Sequence, residues 1–159
     1  MNPDLKRQVL REFPEFEQGL HLPMLAEVIA VCDPPTEPSI CDNYRPRLAV
    51  NVQLLDSQFK PKGIEFDHVP VAISGGGHER GFFALPDKGT LVELAFLNGS
   101  MELPFIRSIV PLNKHNPVMD GKTQKWQQSD DVSQSVDSSG NWTRKTNNQI
   151  KDQAHAIEQ

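Results

Sequence analysis

Between residues 47 and 54 the chain alternates cleanly, with Leu48, Val50, Val52 and Leu54 on one face and Arg47, Ala49, Asn51 and Gln53 on the other. A period of two is that of a half-buried antiparallel strand. The pattern returns at Val69, Val71 and Ile73, where Pro70 points to an edge or a bulge. It returns again at Val92, Leu94 and Phe96, interleaved with Glu93 and Ala95. Residues 22–32 form a long apolar run followed by Pro34, Pro35 and Pro38. Pro86-Asp87-Lys88-Gly89 has the composition of a turn. Asn98-Gly99 carries the strongest short-range hairpin signal, and residues 101–110 supply the returning strand. A helix is predicted only at the start, over 3–13. Asn2 suits the N-cap, Pro3 the first helical position and Asp4 the positive end of the dipole, while Pro14 ends the run. Leu5, Val9 and Phe13 fall at four-residue spacing on one stripe. Such a helix either packs on its own domain or serves as a docking arm, and both readings stay open.

About five strands in roughly ninety residues suit a small closed barrel better than a sandwich, and the five-stranded Greek-key OB-fold leads. The expected fold class is therefore mainly β. The organisation is an N-terminal helix or arm over 1–19, an OB-type antiparallel barrel over 20–112, a linker over 113–131 and a C-terminal segment over 132–159. Residues 56–63 and 74–80 are the expected long loops.

Composition sharpens the division. The apolar share is 37% over 159 residues, and only ten of those apolar residues lie in 113–159. A segment so poor in apolar surface cannot order itself alone, which leaves disorder or folding against other chains. Trp126 and Trp142, the only tryptophans, both lie there, and Gly140-Asn141 marks a turn after Val136. Large aromatics in a polar tail imply burial against something.

The net charge is −5 and the pI about 5.5. That balance argues against a general nucleic-acid binder or a polybasic membrane-surface protein. No stretch approaches the ~18 consecutive apolar residues of a membrane span, and the start lacks the order of a signal peptide, so any export must use another route. Cys32 and Cys41 are too few for a disulfide scaffold or a structural zinc site. They can bridge, but free thiols in a reducing cytosol fit the count.

The search for chemistry returns little. Ser74-Gly75-Gly76-Gly77-His78 lacks the Gly-Lys-Ser/Thr ending of a phosphate loop, and no helix pattern follows it. Glu65 and Asp67 fall on one face of a strand and His68 on the other, so they converge poorly on a metal. The histidines (His21, His68, His78, His115 and His155) show no His-x-His or His-x-x-x-His spacing. Ser100 has no nucleophile-elbow context. The expectation is a non-enzyme with no cofactor and no metal. An OB-fold raises single-stranded nucleic acid, but Arg47, Asn51 and Gln53 carry no interleaved aromatics. Phe82 and Phe83 follow Arg80, and a barrel this poor in aromatics is expected to use them in its core.

Residues 77–99, Gly77-His78-Glu79-Arg80-Gly81-Phe82-Phe83-Ala84-Leu85-Pro86-Asp87-Lys88-Gly89-Thr90-Leu91-Val92-Glu93-Leu94-Ala95-Phe96-Leu97-Asn98-Gly99, carry an R-G-aromatic…P-x-x-G-x-x-V-x-L-x-F-x-x-G order. It resembles the barrel segment of phage baseplate central spikes, the baseplate assembly protein V-like family, and of the related type VI secretion spike. Leu103-Pro104-Phe105-Ile106-Arg107-Ser108-Ile109 resembles the returning P-x-I-x-G strand, with Ser108 where Gly is usual. Val136-Asp137-Ser138-Ser139-Gly140-Asn141-Trp142-Thr143-Arg144 resembles the D-x-x-G-N-W-x-R entry into the spike. Together these make up about a quarter of the chain and fall within residues 77–144.

The resemblance implies a homotrimer whose C-terminal segments intertwine as a triple-stranded β-helix or β-prism. It implies a virion protein of the tail baseplate, assembled in the host bacterial cytoplasm, that helps pierce the outer membrane during contraction. The implied partners are a baseplate hub protein on the barrel side, a separate tip protein at the C-terminus and, transiently, the host outer membrane, with no nucleic acid. The chain has His155 alone where some family members carry a His-x-His pair for iron, so no tip metal is expected. The residues expected to line the trimer interface are Val132, Val136, Trp142, Ile150 and Ile157. The alternative is a monomeric OB-fold module for single-stranded nucleic acid or oligosaccharide.

Overall fold

The computed structural model describes residues 3–13, 19–32, 40, 47–77, 80–112 and 114–153. Among the described residues the protein is mainly β, with one short N-terminal helix and several antiparallel sheets. It divides into two units, Met1–Lys114 and His115–Gln159.

Helix α1 spans Pro3–Glu12. Pro3 is tolerated in the first turn, where its missing N–H has no helical partner to lose. Asp4 and Arg11 each sit at the end of the dipole that favours their charge. The Phe13 amide donates to the Val9 carbonyl at 2.8 Å and finishes the last turn. No residue of α1 is buried, and the Leu5–Val9–Phe13 stripe is exposed. Asn2, the expected cap, lies outside the described residues.

In the first unit, β1 (Met24–Cys32) pairs antiparallel with β2 (Ala49–Leu55) and β6 (Leu91–Phe96). β2 pairs with β3 (Pro61–Pro70), and β6 with β7 (Pro104–Val110). The strand order is β3-β2-β1-β6-β7. Just past β3 the chain turns onto the far end of that order. Val71 forms a parallel bridge with Ile106 of β7, and the Ala72 amide donates to the Ile106 carbonyl at 2.9 Å. The two ends of the sheet are thereby joined.

The inward rows follow the alternation along most of their length, but Ala49, expected on the outer face, is fully buried, while Leu48 is only half-buried and Ile73 is exposed. Val50, Val52 and Leu54 of β2 meet Ala26 and Val28 of β1, Val92, Leu94 and Phe96 of β6, Val69 and Ile106. Phe66 packs edge-on to Phe96, with ring centroids 5.6 Å apart. Bulges at Val28/Ala30, Val50/Val52 and Glu93/Leu94 interrupt three of the pairings. Each inserts a residue and bends its strand, which lets long strands curl round a small core. Asn51 fastens this bend: its Oδ1 accepts from the Cys32 thiol at 2.8 Å and from the His68 amide at 2.9 Å. His68 holds a left-handed φ of 52°, a conformation that such a bond helps to maintain.

Three loops differ from the sequence pattern, the first because β3 begins at Pro61 and ends the loop expected over 56–63 at Lys60. Asn98 and Gly99 do adopt left-handed φ values of 54° and 68°. However, the flanking strands close at Phe96–Pro104, so the pair sits inside a longer connection over 97–103. Within it the Leu97 amide donates to Leu103 and the Ser100 amide to Leu97, both at 3.0 Å. The Gly-rich stretch is not a bare loop either. It forms a ribbon of β4 (Ser74–Gly77) and β5 (Arg80–Phe82). Glycine makes this possible, since a Cβ on Gly76 would collide with the Arg80 backbone and one on Gly81 would lie 2.6 Å from the Gly75 carbonyl.

The second unit is a meander of β8 (Gln124–Ser129), β9 (Val132–Val136) and β10 (Trp142–Lys145), in the order β10-β9-β8. β8 falls within 113–131, where composition predicts a linker. Gln-Lys-Trp-Gln-Gln-Ser offers one apolar side chain and therefore no alternation to read. No described residue from 115 to 153 is buried.

Leu94 is fully enclosed at the centre of the first unit's core. Leu94→Ala is expected to lower that unit's unfolding free energy by about 2–5 kcal/mol in urea titration, whereas an exposed Thr143→Ala shifts it by less than about 0.5 kcal/mol.

Candidate functional site

Cross-strand rows decide which side chains of the meander share a face. Trp142 pairs with Val136, and Val136 in turn with Gln124. Arg144 pairs with Gln134, and Gln134 with Trp126. Directly opposed residues of an antiparallel sheet point the same way. One face therefore carries Trp126, Val136 and Trp142, interspersed with Gln124, Gln134 and Arg144, together with Val132 two pleats along β9. The other carries Lys125, Gln127, Ser133, Ser135, Thr143 and Lys145. On it, Lys145 reaches the Asp130 carbonyl at 2.8 Å and the Asp131 carboxylate at 3.2 Å.

The apolar face is open. Trp126 is 58% exposed and Trp142 70%, while Val132 and Val136 are half-buried. Of the residues that sequence nominates for an interface, the structure brings Val132, Val136 and Trp142 together. Ile150 is exposed and lies past β10, beyond the paired rows. Ile157 falls outside the described residues. Trp126 belongs to the face but is absent from the nominated set. The signal that would have found it is its being the sole apolar residue of β8.

The turn that precedes Trp142 explains the D-x-x-G-N-W spacing. One oxygen of Asp137 accepts from the Ser139 amide at 2.8 Å and the Asn141 amide at 2.9 Å, and the other accepts from the Asn141 side-chain amide at 2.8 Å. The Gly140 amide donates to the Asp137 carbonyl at 3.0 Å, and Gly140 supplies the left-handed φ of 85°. These residues are turn machinery, and their product is a Trp142 in register with Val136. Hydrogen bonds from the Asn141 side chain and backbone hold the Asp137 carboxyl below its ordinary value. Asp120 is lowered likewise, first by the Thr123 hydroxyl and then by the Lys122 amide.

Elsewhere the geometry offers less. Among the described residues no group of three His, Cys, Asp or Glu side chains is placed to hold a metal. Cys41 and His78 lie outside those residues. A cavity of about 160 Å³ lies between Glu27, Leu55, Phe59 and Leu91, below the ~300 Å³ at which small-molecule pockets begin. Glu93 and Arg107 form an exposed two-pronged ion pair across β6 and β7, of the kind that contributes little. Phe82 and Phe83 are not core residues, contrary to expectation. They are 74% and 53% exposed, because the inward rows are filled by aliphatic side chains with Phe96 and Phe66.

No protein-family model matches the chain. It is 34% identical over 151 residues, 94% of its length, to an uncharacterized 58.7 kDa protein in the lys 3′ region of Haemophilus phage HP1, strain HP1c1. The chain spans 28% of that relative's length. The likeness is thus to a bacteriophage protein.

A carboxyl lowered by folding contributes order above its ordinary value and loses it as the pH falls through the lowered one. The turn at 137–141 is therefore expected to hold at neutral pH and to open in acid below about pH 4. In an NMR titration the Ser139 and Asn141 amide shifts should move with a midpoint below that of a free aspartate, and Asp137→Asn should abolish the transition.

Proposed function

We propose that this chain is the barrel and spike-entry part of a trimeric central spike in a contractile phage tail baseplate. The observation that carries the reading is the second unit: an ordered three-stranded sheet that buries none of its described residues and bares both tryptophans on one face. Ordering backbone costs ~1–2 kcal/mol per residue, and apolar burial returns about 25 cal/mol per Å². A sheet with no interior of its own recovers that cost by covering the tryptophan face against its symmetry mates.

Three further features agree with it. The order β3-β2-β1-β6-β7, with the parallel Val71–Ile106 link between its ends, is the connectivity an OB-type barrel requires. The D-x-x-G-N-W turn has a physical purpose, that of setting Trp142 in the face. The relative is phage-encoded. In this reading the protein is not an enzyme. Contraction drives a rigid β-structure through the outer membrane, a hub protein holds the barrel side, and a separate tip protein completes the C-terminal end.

One observation favours a second reading, an OB-fold module for single-stranded nucleic acid: Phe82 and Phe83 are exposed close to Arg80, as a base-stacking platform would be.

Light scattering coupled to size exclusion is expected to return a mass near three times 17.8 kDa. Trp126→Ala and Trp142→Ala should each weaken the trimer more than any substitution on the barrel surface, and a wild-type monomer would end the spike reading. In a mobility-shift assay at low salt, single-stranded DNA should not be retained. Tight, salt-sensitive retention that Phe82→Ala removes would favour the second reading instead.

A further inference from the structure

Two apolar surfaces of the first unit are left open, and their flanking charges match. One is the Leu5–Val9 stripe of α1, a helix with no buried residue. Lys6 and Glu12 lie three residues to either side of Val9. At 3.6 residues per turn they flank it by about 60° on opposite sides. The stripe is thus an apolar ridge with a cation on one shoulder and an anion on the other.

The second surface lies on the outward side of the barrel. Glu27 pairs with Gln53 and Leu91, one residue out of step with the buried row of Ala26, Leu54 and Val92, so it points away from the core. Leu91 and Leu55 are nevertheless only 6% and 7% exposed. They share a cavity with Phe59 and Leu112, which are themselves 43% and 46% exposed. Its volume of about 160 Å³ suits one apolar side chain, as a dry cavity of about 150 Å³ takes a benzene ring. Glu27 and Lys114 meet at its rim, since a Cβ added to Gly89 would lie 3.6 Å from Glu27 Oε1 and 3.7 Å from Lys114 Nζ. Neither makes an ion pair among the described residues. Lys114 ends the first unit, so the site lies wholly within it.

We infer that α1 of one copy docks on the barrel of a neighbouring copy, with Val9 entering the cavity, Lys6 meeting Glu27 and Glu12 meeting Lys114. The inference rests on the trimeric reading and adds a contact between first units that the reading does not contain. An amphipathic helix laid against an apolar depression is a recurrent mode of recognition. Within one chain both the ridge and the cavity stay open, so the occupant comes from outside that chain. Around a threefold axis each copy gives one helix and receives one, and the head-to-tail contact closes with no ridge and no cavity left over. Ion pairs at such a rim contribute little to affinity, but they fix direction. A reversed helix would set Lys6 against Lys114 and Glu12 against Glu27.

Cross-linking of the full chain tests the contact. In a background carrying Cys32→Ser and Cys41→Ser, Gln8→Cys on α1 is combined with Lys88→Cys in the exposed turn beside Gly89. Neither side chain belongs to the contact itself. A short bis-maleimide is expected to move most of the protein into covalent dimers and trimers on a denaturing gel, while each single variant stays uncoupled. Val9→Asp sets a carboxylate against the cavity and should lower the coupled fraction about tenfold. As α1 has no buried residue, this variant should keep the barrel's urea transition. Glu27→Lys should lower coupling too, and Lys6→Glu in the same chain should restore it, which a merely weakened barrel would not do.

A protein that gains one cross-linker and loses both thiols at monomer mass would overturn the exchange and assign the helix to its own barrel. Covalent dimers from Gln8→Cys alone would assign a helix-to-helix contact instead. A protein of trimeric mass in which both thiols take a simple maleimide, yet nothing couples, would overturn the docking while leaving the trimer standing. A monomer in the background variant and in the wild type would overturn both readings.

Discussion

Within the first unit everything hangs on one contact layer, where Val28, Val52, Val92, Leu94 and Ile106 come from four different strands and meet with almost no solvent access. Each such side chain is worth roughly 1.5–3 kcal/mol when taken from water, and together they set the register of every strand they sit on. A one-residue slip in β2 would turn Val50, Val52 and Leu54 outward at once. With register held by the interior, the turns and ribbons around it are free to take irregular shapes.

Those irregularities serve the same interior. Five strands can wrap a core this small only if they bend, and bulges in three of the pairings supply the bend. Asn51 is where the consequence is visible, since one side-chain oxygen answers a thiol on β1 and an amide on β3. It ties three strands at a point where regular ladder bonding is interrupted. The β4–β5 ribbon is the opposite case, made of backbone and glycine with little packing, and its exposed Phe82, with Phe83 just past it, is the part of this unit turned most clearly toward something else.

The second unit inverts the balance. Its sheet is held by backbone pairing and by turn chemistry at Asp120 and Asp137, with no interior among the described residues. Its apolar side chains are few but are gathered on one face. A surface of that kind is stable in proportion to what covers it, and for this reason oligomeric state decides the reading of the whole chain.

Much of the architecture was legible from sequence because burial writes itself into a period of two. The inward row of β2, the pairing of β6 with β7 and the helix at Pro3–Glu12 all carry that signal or cap chemistry in local residues. Asp137-Ser138-Ser139-Gly140-Asn141 announced its turn for the same reason, as every partner lies within four positions. Other features had no local signature. β8 contains a single apolar residue and exists because β9 pairs with it, and Trp126 joins Val136 and Trp142 only through the cross-strand rows. The exposure of Phe82 and Phe83 followed from which other side chains filled the core first. Periodicity and turn residues are properties of neighbours along the chain and can be read there, whereas register, edge and face are properties of neighbours in space, which only the folded sheets bring together.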